Sequence, residues 1–147
     1  MIQSHELPER MVEINGVRKY RVNVKEVVRD DITSYIYDEV EFNADIPVEI
    51  SDTKVAKIEA EIAEAEAKAA KDLALDSITV EVDGMIFDGR DKDQVRMMAA
   101  IQASDILGMS KAEWKLADGT IREITVDTLE LVLAASIQEV GRIVKGE

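Results

Sequence analysis

Apolar and polar residues alternate through much of the first fifty positions, and near position 51 the pattern changes to a helical step. Tyr20, Val22 and Val24 take turns with Arg21, Asn23 and Lys25, the period of two that marks a half-buried strand. Ile32 to Phe42 is rich in β-branched and aromatic residues and reads as another strand. Upstream, Asn15-Gly16 is a dipeptide whose two residues tolerate the positive φ of a type I′ hairpin. That turn sets Ile14 against Val17 and Glu13 against Arg18, with opposite charges across the strands. Asp45 and Pro47 suggest the exit turn of this β-rich region, residues 1–50.

Residues 51–75 contain no Gly or Pro and are rich in Ala, Glu and Lys, which predicts a helix capped by Ser51 or Asp52. Val55, Ile58, Ile62, Ala65 and Ala69 recur at steps of three and four and share one stripe. Glu64 and Lys68 stand in the favourable i, i+4 order. The helix would span about 35 Å. Its stripe is narrow, closer to a coiled-coil seam than to the wide face of a core helix. These five residues are therefore the candidate oligomer interface, although packing on the chain's own domain competes evenly with it.

Residues 76–147 read as one compact unit ordered hairpin, helix, hairpin, helix. Ile78, Val80 and Val82 alternate with polar residues up to Asp83-Gly84. A two-residue turn there sets Val82 against Met85 and Val80 against Phe87. Asp91 is the expected cap of a helix running to about Leu107, with Gly108 as its stop. Trp114 to Ala117, Asp118-Gly119 and Thr120 to Glu123 form the next expected hairpin. A final helix begins at Thr125 or Asp127, with Leu129, Val132, Ile137, Val140 and Val144 as its apolar face. The expected class is α+β, in three segments: 1–50, 51–75 and 76–147.

Composition narrows the function. The 147 residues are 46% apolar, which suits a folded core, but only 4% aromatic. The net charge of −13 opposes nucleic acid, whose phosphates call for clustered Lys and Arg, and opposes an anionic membrane surface. It permits a basic protein partner, although solubility alone explains such a balance. The absence of cysteine removes disulfide frameworks, thiolate metal sites and cysteine catalysis. No stretch has the length of a membrane span, and the N-terminus lacks the apolar core of a secretory signal. The expectation is a soluble protein made in the cytoplasm.

Candidate chemistry is sparse. His5, the sole histidine, lies outside any periodic segment and reads as solvated. Asp83, Asp88, Asp91 and Asp93 crowd one stretch, as oxygen ligands for calcium do. Arg90 and Lys92 interrupt that spacing, and turn and cap roles account for each carboxylate. Met97 and Met98 fit packing on the hairpins better than a partner-binding patch. Trp114 is the one tryptophan; it reads first as packing against a helix and second as an interface anchor. No cofactor or metal is expected.

Within the last unit, Val82-Asp83-Gly84, Phe87-Asp88, Met97-Met98-Ala99-Ala100-Ile101, Gly108, Trp114-Lys115-Leu116-Ala117-Asp118-Gly119 and Thr125 form a frame. It resembles a family of phage and prophage domains of unassigned function, usually encoded beside tail-fibre genes. The resemblance implies a virion protein of the bacteriophage tail, without catalytic residues, that contacts tail fibre or baseplate proteins. By analogy with tail fibres it implies a homo-oligomer, a trimer first. Two alternatives are a non-virion chaperone of tail-fibre assembly and an enzyme that degrades a host-surface polymer.

Overall fold

The computed structural model describes residues 1–147. In chain order it forms β1 (Ile2–Ser4), β2 (Met11–Ile14), β3 (Val17–Arg29), β4 (Ile32–Asn43), α1 (Val48–Asp76), β5 (Thr79–Val82), β6 (Met85–Asp88), α2 (Asp91–Leu107), β7 (Lys111–Lys115), β8 (Ile121–Thr125) and α3 (Val126–Lys145). The chain is an α+β protein. It divides into two units, Met1–Ala67 and Lys68–Glu147. No helix is long and apolar enough to cross a membrane.

The first unit is an antiparallel sheet in the order β1-β4-β3-β2, covered by the first part of α1. Asn15 and Gly16 take φ of 51° and 76°, and the turn sets Ile14 opposite Val17 and Glu13 opposite Arg18, as their sequence predicts. Arg18, Tyr20 and Val22 then point to one buried face. The alternation predicted to reach Val24 stops one residue earlier. Asn23 adopts φ 54° and the β3–β4 register shifts between Val22 and Lys25. The bulge turns Val24 out to solvent, because an extra residue in one strand reverses the facing that follows.

α1 starts before its predicted cap. The amides of Ile50 and Ser51 bond to the Pro47 carbonyl at 3.1 and 3.2 Å, so Ser51 lies inside the first turn. It is fully buried, and its Oγ donates to the Val48 carbonyl at 2.9 Å. Around it a polar cluster closes the unit. Arg18 Nη1 donates to Ile46 O at 2.8 Å and to Ser51 Oγ at 3.1 Å. The Tyr20 hydroxyl donates to Asp52 Oδ1 at 2.6 Å. Val55 packs on Tyr20 and Val22, with Val40, Phe42 and Ile62 around them. The Tyr20 and Phe42 rings meet edge to face at 5.8 Å.

The second unit builds its core from Phe87, Met97, Leu116, Ile124, Leu129 and Val132. Val82 pairs with Met85 and Val80 with Phe87, the predicted register. The other hairpin departs from its expected two-residue turn. Lys115 pairs with Ile121, which leaves a wider loop over residues 116–120. Leu116 is drawn into the core, Ala117 N donates to Ile86 O at 3.0 Å, and Asp118 Oδ1 accepts from the Thr120 amide at 2.8 Å. Burying Leu116 and linking the two hairpins fix the register here, rather than the Asp-Gly dipeptide.

The helix caps are also settled by contacts. Arg90, not Asp91, occupies the N-cap of α2. Its guanidinium reaches Asp93 in the first turn at 2.6 Å and Asp88 at 3.0 Å. α3 is capped by Thr125, whose hydroxyl accepts from Thr128 N at 3.1 Å. Its buried face holds Leu129, Val132 and Ser136, while Ile137 and Val144 are exposed, contrary to the predicted stripe. Gly89 explains why a serine sits there. A Cβ on Gly89 would lie 2.6 Å from Ser136 Oγ and 2.9 Å from Ile78 Cγ2. The backbone after β6 passes too close to α3 for larger neighbours.

Candidate protein-binding groove

An open groove of about 760 Å³ lies in the second unit, between α2, α3 and the start of β7. Helix geometry dictates its walls. In α2, Met97 points inward and is fully buried, so Met98, one residue on, is turned outward and 49% exposed; successive helix positions are about 100° apart. Met98 and Ile101 line the groove from α2, and Val126 and Leu133 line it from α3. Gly108 ends α2 in the left-handed region at φ 66°. The Gly108 amide bonds back to Asp105 O and the Met109 amide to Ser104 O, the 5→2 and 6→1 closures made around a left-handed C′ residue. That reversal places Met109 in the groove, 52% exposed.

The rim is acidic. Asp105, Asp127 and Glu130 border the groove and are exposed. The ion pairs of this unit join Arg90 to Asp88 and Asp93, Lys111 to Glu123, and Arg142 to Glu139; none engages those three carboxylates. Lys111, the one basic residue on the groove, lies 2.8 Å from Glu123, which raises its pKa above the ordinary lysine value.

The residues singled out by sequence are distributed differently. Val55 is fully buried against the first unit's own sheet, so it has no surface to offer a second chain. Ile62 packs at the edge of the same cluster, and Ile58 is half-buried. Ala65 and Ala69 are exposed. The five residues thus divide along α1: Val55 and Ile62 pack on the sheet, while Ala65 and Ala69 stay open to solvent. Trp114 is half-buried against the second core. Its remaining face borders a cleft of about 230 Å³ with Asp88, Arg90, Asp93, Arg96 and Lys115.

His5 is exposed. The crowded aspartates do not converge. Asp83 accepts from the Thr128 hydroxyl at 3.3 Å, and Asp88 and Asp93 flank Arg90. No group of three or more His, Asp or Glu side chains is arranged to hold a metal. The hydrogen bond to Asp93, with the charges of Asp93 and Asp88, raises the Arg90 pKa further. The groove itself carried no sequence signal, since Met98 and Val126 come from different helices and each belongs to an ordinary helical pattern.

The second unit is thus a hairpin-and-helix module whose open groove mixes apolar side chains (Met98, Ile101, Met109, Val126 and Leu133) with polar ones, the carboxylates of Asp105, Asp127 and Glu130 among them. The family described as a domain of unknown function, DUF4376, matches residues 49–144, and this chain belongs to that family. No curated protein and no solved structure matches the chain significantly.

Proposed function

We propose that this chain is a non-catalytic bacteriophage tail protein, carried in the virion, that joins or decorates the tail fibre or baseplate through protein–protein contacts. The groove between α2 and α3 carries this reading. Met98 and Met109 are about half exposed beside Ile101, Val126 and Leu133, and exposed apolar surface of this kind marks interaction sites. The frame from Val82 to Thr125 supports the tail assignment through its resemblance to phage and prophage domains. The pairing of Asp88 and Asp93 with Arg90 and the exposed position of His5 leave both without the converging partners that acid–base chemistry needs. Self-association, a trimer by analogy, would use the exposed part of α1 around Ala65 and Ala69 rather than Val55.

Mass spectrometry of purified phage particles tests the reading. The chain should be present in whole particles at a fixed ratio to the tail proteins. Its presence in infected cells but not in particles would replace a virion component with an assembly chaperone.

A further inference from the structure

We infer that the groove between α2 and α3 docks a basic amphipathic helix from another protein. The inference deepens the contact reading above and rests on its claim that the groove is a protein-binding surface. It does not depend on the tail assignment. The floor and rim make separate demands. Met98 and Met109 are about half exposed there, Ile101 and Leu133 add the surface left over from their packing on the core, and methionine accommodates varied side chains. An occupant therefore brings a stripe of apolar residues, as a helix does when it lies in a groove between two others. The rim then selects among such helices. Asp105, Asp127 and Glu130 are exposed and take part in no ion pair. Lysine or arginine flanking the occupant's stripe would pair with them, whereas acidic flanks would be repelled.

A second copy of this chain is a poor occupant. It carries the same net charge of −13, and its exposed α1 interleaves Glu61, Glu64 and Glu66 with Lys57 and Lys68, without the continuous basic flank that the rim selects.

Two labelled peptides test the inference on the full chain by fluorescence anisotropy. Both are roughly 18 residues long, enough to be helical, and have leucine along one face. One carries lysine on the other face and one carries glutamate. The lysine peptide should bind at least about tenfold more tightly. Asp127→Lys with Glu130→Lys should reverse the preference, and Met98→Glu should weaken the lysine peptide about tenfold. Glu61→Lys with Glu64→Lys, outside the groove, should leave its affinity within about twofold, which separates docking from attraction to net charge. Circular dichroism confirms that each variant is folded.

Equal binding of the two peptides overturns the inference. So does an Asp127→Lys/Glu130→Lys variant that behaves like the parent, or a control pair that weakens binding as much as the groove pair. An oligomer that Met98→Glu dissociates would show that the chain fills its own groove, which also overturns it. Particles that contain the chain, with no peptide preference, remove this inference and leave the tail reading. A groove that binds as expected, in a chain absent from particles, does the opposite.

Discussion

The N-terminal unit closes on Tyr20, Val22 and Val55 beside Arg18, a residue only 5% exposed. The C-terminal unit closes on six apolar side chains drawn from its two hairpins and two of its helices. The first interior is held by directed bonds, from Arg18 to Ile46 O, Ala44 O and Ser51 Oγ, and from Tyr20 to Asp52. The second is held by volume, with Phe87, Met97, Leu129 and Val132 completely enclosed. The difference bears on where stability and specificity come from. A buried cation is costly to desolvate and gains little unless its bonds are met, and Arg18 Nε has no partner. Its bonds tie β3 to the segment between β4 and the first turn of α1. Stability in the second unit comes from contact area, which tolerates no vacancy.

The strongest way to break this contrast is Phe87→Ala. It should destabilise the second unit by about 3–5 kcal/mol, the cost of emptying an aromatic site in a packed core. Urea unfolding followed by Trp114 fluorescence measures it, and a loss under about 1 kcal/mol would mean that the core is loosely packed. Next, Arg18→Ala should cost about 1–3 kcal/mol by leaving buried acceptors unmet. Arg18→Met should cost less than Arg18→Ala, since it refills the space and removes the charge. Equal losses in the two variants would show that Arg18 acts by bonding alone.

The smallest effect is one of pH. The Thr120 hydroxyl and amide hold the Asp118 carboxyl below its ordinary 3.8. A group depressed in the folded state stabilises it above the unfolded value and loses that contribution as pH falls through the folded one. Stability should therefore fall with acid below about pH 3.8, and Asp118→Asn should flatten that part of the profile. Asp118 is exposed, so the change should be far smaller than for Phe87→Ala.

Much of the architecture could be read from short-range rules. Asn15-Gly16 and Asp83-Gly84 set their hairpin registers because both positions of each turn need positive φ, and these residues supply it. Gly108 and Thr125 announced an end and a start of helices for equally local reasons. The rest depended on partners distant in the chain. β1 pairs with β4 over only Ile2, Gln3 and Ser4, too few residues to show a period. The turn between β3 and β4 uses Asp30 and Asp31, both at positive φ, without a glycine to mark it. Leu116 moved one hairpin's register by entering the core, and beside Gly89 the buried face of α3 takes Ser136 in place of the expected Ile137. The groove was the least legible. Its lining joins core-packed Ile101 and Leu133 to the exposed Met98 and Met109, and an exposed methionine resembles any other in sequence.

The bulge at Asn23 has a consequence for the behaviour of the chain in concentrated solution. β2 pairs with β3 only from Val17 to Tyr20, so beyond the bulge one side of β3 has no neighbouring strand. The backbone groups along that margin would template a foreign strand. Lys25, Glu26 and Arg29 place alternating charge there, and the bulge adds local twist, so two such margins meet badly. Replacing these three with threonine or valine would leave the fold's interior untouched and convert the margin into a seed for fibrils.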